Sequence, residues 1–342
     1  MKTSDTRHEQ LMKGSMSMSF EVRSTAKMHT IAIRPSRAGF RKTWRNIRRH
    51  WQLYCIIAVP SAFLAVFNYW PMLGIQIAFR MYNPVGGIWH SPWIGMQEMQ
   101  FWLQSPYFWP TFDNTLIIGV YSLAVGTAAA IVLALALNEV KHVWFKKAVQ
   151  TITYIPYFVS AVVLVGMMQI LLTPSGSPLA DLFALFGNHN APDLMSHPGA
   201  FASLYVWSGV WQTTGYGAVI YLAALSNVNP EQYDAARIDG ASRFQRMFHI
   251  DWQAIKATVV ILVILAVGNL LNAASFEKVY LMQNPLNLSA SEVISTYTYK
   301  MGLLDANFSF ATAVGLFNSV IGFILLVIAN LTARFVSETS LF

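Results

Sequence analysis

The segment Asp234-Ala235-Ala236-Arg237-Ile238-Asp239-Gly240-Ala241, running on to Ile250, holds the residues whose types and spacing most clearly suggest a task. Asp234 and Arg237 stand three positions apart, where opposite charges on one helix face meet. Asn229-Pro230 just upstream is a helix start. Asn accepts from early backbone N–H groups, and Pro in the first turn lacks the donor that would be left over. Glu231 and Asp234 fall near the positive end of the macrodipole. Gly240 permits the left-handed turn that stops a helix. A second helix then carries Phe244, Met247, Phe248 and Trp252 on one face. Ala235 and Ala236 leave room for another surface to approach. The chemistry on offer is recognition, a short helix seated in a partner's groove. An ordinary amphipathic connector would use the same residues, and physical chemistry alone favours neither.

A second set suits carbohydrate. Trp207, Trp211, Gln212 and Tyr216 carry aromatic faces that stack on sugar rings and an amide that hydrogen-bonds hydroxyls. Trp207/Trp211 and Gln212/Tyr216 are each at i,i+4. Asn269, Asn272 and Asn318 add further amides within apolar runs, where polar groups mark candidate pathways. Amides also bind membrane helices to one another, the commoner role for any single one of them. No catalytic or metal constellation accompanies them. The 8 His are scattered without a His-x-x-x-His pair, and the one cysteine, Cys55, leaves no disulfide or Cys-based zinc site within the chain.

These residues need a membrane scaffold to position them. The chain of 342 residues is 55% hydrophobic and 11% charged, against about 25% charged in a soluble domain. A crossing helix needs about 20 apolar residues. Spans are expected over Leu53–Leu73, Phe112–Leu137, Val149–Leu172, Phe201–Leu225, Thr258–Ala274 and Ala311–Leu331. No stretch alternates with the period of a membrane barrel strand. The expected fold is all-α, with six transmembrane helices over residues 51–338 and a coupling loop over 227–256. Pro156, within the third span, reads as a tolerated kink.

About half of the 23 basic residues lie between Lys2 and Arg49. Lys141, Lys146 and Lys147 follow the second span, Arg237, Arg243, Arg246 and Lys256 the fourth, and Arg334 the sixth. The opposite side keeps Arg80, Lys278 and Lys300. The positive-inside rule then places both termini and the Asp234 loop in the cytoplasm. The net charge of +7 reads as topology and attraction to anionic lipid rather than nucleic-acid binding. Residues 1–50 form a basic, Met/Ser-rich tail without an apolar run, unlike a secretory signal. Within it Arg41, Lys42, Arg45, Arg48 and Arg49, interleaved with Phe40, Trp44 and Trp51, have the pattern of an interfacial helix.

Outside the membrane, residues 80–110 are rich in Gly, Pro and aromatics, including Trp89, Trp93, Trp102 and Trp109. An aromatic belt explains most of them, and a docking surface for an external partner would use the same residue types. Residues 173–199, with four prolines, read as an ordered loop with one short helix; His189 and His197 are loop residues there.

The Asp234 segment resembles the EAA loop of ATP-binding-cassette importer permeases: Glu-Ala-Ala, three residues, Gly, nine residues, Ile, one residue, Leu-Pro. Asp234-Ala235-Ala236, Gly240 and Ile250 keep that spacing, and Asp239-Gly240-Ala241 is similar to the fuller form of carbohydrate permeases. Asp234 stands for Glu, and Trp252-Gln253 for Leu-Pro. Without that proline the second helix is expected to run on into the fifth span. Residues 69–79, with Asn83-Pro84 and Gly87-Ile88-Trp89, resemble the start of polysaccharide- and oligosaccharide-type permeases. So do Asn114-Thr115-Leu116 and Tyr154-Ile155-Pro156-Tyr157-Phe158.

The resemblance, to the maltose-type (type I) importer permeases, implies a bacterial inner-membrane subunit forming half of a pore with a second, related permease. It implies two cytoplasmic ATPases, which bind the ATP and Mg, and an extracytoplasmic solute-binding protein. Asp234, Ala235, Ala236, Arg237, Asp239, Gly240, Ala241 and Ile250 would then engage the ATPase. The chain has no Gly-x-x-x-x-Gly-Lys-Ser/Thr phosphate loop, so it is not expected to be an enzyme or to hold a cofactor itself. An ion-coupled carrier is the alternative. It would need intramembrane carboxylates, whereas Asp113, Glu277, Glu292 and Asp305 lie outside the spans or at their ends.

Overall fold

The structure is a computed structural model describing residues 48–174, 176–187 and 191–337. Most of the basic tail, including Phe40, Arg41, Lys42, Trp44 and Arg45, lies outside the described residues, as does His189. Among the described residues the regular structure is helical, apart from an isolated antiparallel bridge between Arg80 and Trp93. The chain divides after Trp70 into two compact units.

The first unit carries α1 (Trp51–Leu64), which runs into a π turn over Ala65–Tyr69. None of these residues is buried, and Ile56, Val59, Phe63 and Phe67 project from it. A helix apolar on all sides suits hydrocarbon.

The second unit holds α2 (Phe108–Asn138), α3 (Val143–Tyr154), α4 (Ala161–Leu172), α5 (Pro198–Leu225), α6 (Pro230–Ile238), α7 (Trp252–Gly268), α8 (Phe276–Met282) and α9 (Phe308–Ser337). Among the described residues, four continuous stretches are long and apolar enough to cross a membrane: Trp51–Phe79, Phe108–Asn138, Arg243–Gly268 and Phe308–Phe335. The expected fourth span is α5, a single helix of 28 residues and about 42 Å. Its Ser, Thr, Gln and Gly residues leave it less apolar than those four. The loop before it contains the one expected short helix, Pro178–Leu185.

The expected third span is broken. After α3 the chain tightens into a 3-10 turn, Ile155–Phe158, and α4 leaves it at 97°. Val159 and Ser160 are extended, and the Ser160 hydroxyl caps α4 by accepting from the Val163 amide at 3.3 Å. Pro156, buried, sits in the 3-10 turn as part of this sharp bend rather than as a mild kink. A broken helix in a membrane must have its freed backbone groups satisfied by its neighbours. Gln212 of α5 does this, donating Nε2 to the Val159 carbonyl at 2.6 Å. The fifth span also differs from expectation. Helix begins at Arg243 and ends at Gly268, before a 3-10 turn over Leu270–Asn272.

Small residues let the helices close up, as membrane packing requires. Ala130 and Ala134 of α2 meet Ala218 and Tyr221 of α5 and Ile255 of α7. α5 approaches α3 so closely that a Cβ at Gly215 would lie 2.1 Å from the Thr153 carbonyl oxygen. A second cluster gathers Ile118, Leu164, Val165, Phe201 and Val279.

One expected belt residue belongs to the core. Trp102 is fully buried, stacked on Tyr297 and edge-on to Phe108 and Phe310. Trp89, Trp93 and Trp109 stay exposed. Between α7 and α9 the chain is a folded run of short helices rather than an open loop. Asn287, fully buried, donates to the carbonyls of Met195 and Met282, and Lys300 pairs with Glu292 at 2.8 Å.

Candidate functional site

α6 is built as its sequence dictates. The Asn229 side chain accepts from the Glu231 amide at 3.0 Å, with Pro230 in the first turn. Asp234 and Arg237 pair at 2.7 Å on the open face. At the far end Gly240 takes φ +75°. Its amide donates to the Arg237 carbonyl at 3.1 Å, and the Ala241 amide to the Ala236 carbonyl at 2.8 Å. These two bonds form a complete Schellman closure. Nothing lies within 4 Å of a Cβ at Gly240, so conformation, not space, calls for glycine there.

The next helix starts at once. Ser242 accepts from the Gln245 amide while the Gln245 side chain accepts from the Ser242 amide, a capping box. Helix then continues without interruption from Arg243 to Gly268, with one π turn over Met247–Asp251. The helix that follows Gly240 and the expected fifth span are thus one rod. The face of this helix differs from expectation. Asp251 and Ile255 are buried, with Met247 and Trp252 partly covered, while Phe244 and Phe248 point outward. The inserted residue of the π turn rotates the helix and separates the four aromatic and Met positions.

Tyr233 turns inward, opposite the exposed side of α6. Its hydroxyl donates to Oδ1 of Asp251. Asn138, at the end of α2, donates to the same oxygen at 3.3 Å and to the Tyr233 hydroxyl at 3.4 Å. Arg246 pairs with Glu139 at 3.6 Å and donates to the Ala241 carbonyl at 2.9 Å. Burial, together with the Asp251 carboxylate its proton already serves, pushes the Tyr233 phenol up to about 12. It remains a proton donor at any ordinary pH. α6 is therefore clamped to two membrane helices by its inner face, while Asp234, Arg237 and Ile238 stay exposed. Asp239, Gly240 and Ala235 are also exposed; Ala236, Ala241 and Ile250 are half-buried.

The sugar-suited residues do not converge. Trp207 donates to the Tyr121 hydroxyl at 3.0 Å, and Tyr216 stacks on Tyr157 with ring centroids 4.1 Å apart. These two and Trp211 are exposed along α5. Asn269 is turned back on its own helix, donating to the Leu265 carbonyl. Asn272 is exposed, and Asn318 keeps a buried oxygen without a partner. Gln212 alone of the seven lines the cavity beside α5, a space of about 270 Å³ whose wall includes Ser122, Tyr205, Thr213 and Lys278.

Residues 126–338 match the family described as binding-protein-dependent transport system inner membrane component. The chain belongs to this inner-membrane permease family. The permease is 38% identical to Protein LplB of Bacillus subtilis over 86% of its own length and 92% of that protein. It is 39% identical to the polygalacturonan/rhamnogalacturonan transport system permease protein YteP of the same organism, covering 85% of this chain and 90% of YteP. Among solved structures, the permease superposes with a TM-score of 0.79 and 33% identity on a chain of a bacterial ABC transporter involved in the import of the acidic polysaccharide alginate. That match covers 86% of this chain and 99% of the other. A second structure, of a bacterial alginate ABC transporter with its alginate pentasaccharide-bound periplasmic protein, gives the same TM-score at 32% identity. The permease therefore has the all-helical fold that its loop motif implied.

The clamp leaves little trace in the sequence. Asn138 and Glu139 look like the polar end of a span, and Tyr233 like any helix residue. The available signal was Asp251, an acid seven residues before the expected fifth span at Thr258, which is costly to bury without a partner.

Proposed function

We propose that this permease is a subunit of an ATP-driven importer of poly- or oligosaccharides, forming half of the pore with a related second permease. Two cytoplasmic ATPases bind ATP and Mg and grip α6; an extracytoplasmic solute-binding protein delivers the sugar. Both termini and α6 face the cytoplasm, as the Lys/Arg bias favours. The observation that carries this reading is the build of α6. It is clamped inward by Tyr233 on Asp251, left open on the Asp234–Arg237 side, and joined through one turn to a continuous rod into the membrane. An exposed short helix with an immovable back suits helix-in-groove docking. A motion imposed there by closing ATPases would rock the membrane helices as a rigid-body switch. The names of the similar proteins support a saccharide as cargo.

The test is co-purification of a cytoplasmic ATPase with the affinity-tagged permease, and saccharide uptake, for the wild type and for Gly240→Pro. Loss of both in the variant is expected. Retention of both would reject the coupling role. Uptake that stops when the proton gradient alone is collapsed, with ATP intact, would favour an ion-coupled carrier.

A further inference from the structure

Two charged side chains are fully buried among the described residues, Asp251 and Lys278. The first has its donors in Tyr233 and Asn138. Lys278, on α8, has no acidic partner. The ion pairs among the described residues are Asp234–Arg237, Glu139–Arg246 and Glu292–Lys300. Its ammonium donates to the Tyr205 carbonyl at 2.8 Å and lies 4.4 Å from the centroid of the Tyr205 ring. The placement is enforced. The Tyr205 hydroxyl accepts from the Ser275 amide at 2.8 Å and donates to the Ala273 carbonyl, pinning the entry of α8. With 5% of its surface exposed, an ammonium lacking a counter-charge is expensive unless something completes its shell.

What Lys278 faces is the cavity of about 270 Å³ beside α5, near the lower end of the roughly 300–1,000 Å³ of ligand pockets. Gly209 borders the ammonium: a Cβ there would stand in ordinary contact with the Lys278 nitrogen, at 3.4 Å. On the wall of the same cavity the Ser122 hydroxyl is buried and has no hydrogen-bond partner. One chamber thus holds a cation without an anion and a hydroxyl without a mate. A carboxylate satisfies both, through a charge-assisted bond to the ammonium and acceptance from the hydroxyl. A phosphate dianion calls for more positive charge than one ammonium. A single, strongly hydrated lysine also holds less rigidly than a bidentate arginine, as passage through a pore requires.

We propose that Lys278 and Ser122 form a subsite for the carboxylate of an acidic sugar, a uronate unit of the carried saccharide. The inference rests on the importer reading and names the class of cargo within it. Similar chains carry names with polygalacturonan and the acidic polysaccharide alginate in them, which is consistent with that class.

The test is equilibrium binding of trigalacturonate and of its methyl ester to the purified permease–ATPase complex, without the solute-binding protein. The wild type is expected to prefer the free acid by roughly tenfold or more. Lys278→Gln should abolish that preference, Lys278→Arg should keep most of it, and Ser122→Ala should reduce it. A preference unchanged in Lys278→Gln, or a wild type that binds acid and ester alike, would overturn the subsite. Should the Gln variant fail to assemble, the acid-to-ester ratio of Ser122→Ala decides alone. Because binding is read without ATP turnover, this outcome is separate from the Gly240→Pro test of coupling.

Discussion

The hydroxyl of Tyr233 donates to the buried carboxylate of Asp251, joining the inner face of α6 to the rod of Arg243–Gly268, which is long and apolar enough to cross a membrane. The other Asp251 oxygen is buried without a partner, so this one bond and that from Asn138 carry the whole task of accommodating the acid. Tyr233→Phe is expected to destabilise the complex by roughly 1–3 kcal/mol, the cost of an unmade bond to a buried polar group. It should also uncouple ATP hydrolysis from saccharide. Thermal unfolding and saccharide-stimulated ATPase activity of the reconstituted complex measure the two effects.

The same bond sets a pH dependence. The phenol titrates near 10 when free and at about 12 in the folded chain. A raised folded-state pKa means stabilisation that is complete below the free value and lost as pH rises through the folded one. The stability gap between wild type and Tyr233→Phe should be constant below pH 10 and shrink above it. A gap that closes in the acid range would point to a different group.

Gly240 tests conformation against space. Its φ of +75° costs an L-residue about 1–2 kcal/mol, least for Asn. Gly240→Asn should retain ATPase association, and Gly240→Val should weaken it, although neither side chain meets a neighbour. Affinity of the tagged permease for the ATPase in a pull-down titration ranks the two.

Gly215 tests space alone. With the Thr153 carbonyl 2.1 Å from a Cβ at that position, Gly215→Ala has to push α5 away from α3. The expected result is a sharp fall in the yield of monodisperse protein in detergent. Gly126, where nothing lies within 4 Å of a Cβ, serves as the comparison and should accept alanine.

Gln212 tests the broken helix. Gln212→Leu leaves the Val159 carbonyl unpaired at the bend, at about 1–3 kcal/mol. The unfolding midpoint should fall by several degrees, while ATPase association stays intact.

Much of this architecture is legible in the sequence because two signals are strong. Apolar length gives the four long apolar helices found among the described residues, and Asn229-Pro230 with Gly240 fixes both ends of α6. The missing Leu-Pro at Trp252-Gln253 correctly implies an unbroken rod. The break between α3 and α4 escaped because the run from Val149 to Leu172 is predominantly apolar and Pro156 by itself reads as a kink. Its cause, Ser160 acting as a cap, matters only once Gln212 covers the carbonyl that is freed. The orientation of Phe244 and Phe248 escaped because a π turn shifts helical phase by a residue without leaving a mark in composition. Trp102 and Lys278 escaped for a shared reason. Each is buried by segments far away in the chain, Tyr297 and Phe310 in one case and Tyr205 in the other.

The uninterrupted stretch from Arg243 to Gly268 spans 26 residues, about 39 Å. A lever of that length magnifies: leaning it by about 5° carries its outer tip some ~3 Å sideways. A small displacement at its Arg243 end is therefore magnified at Gly268, five residues before Ala273 on the cavity wall, and no break in the helix between them absorbs it.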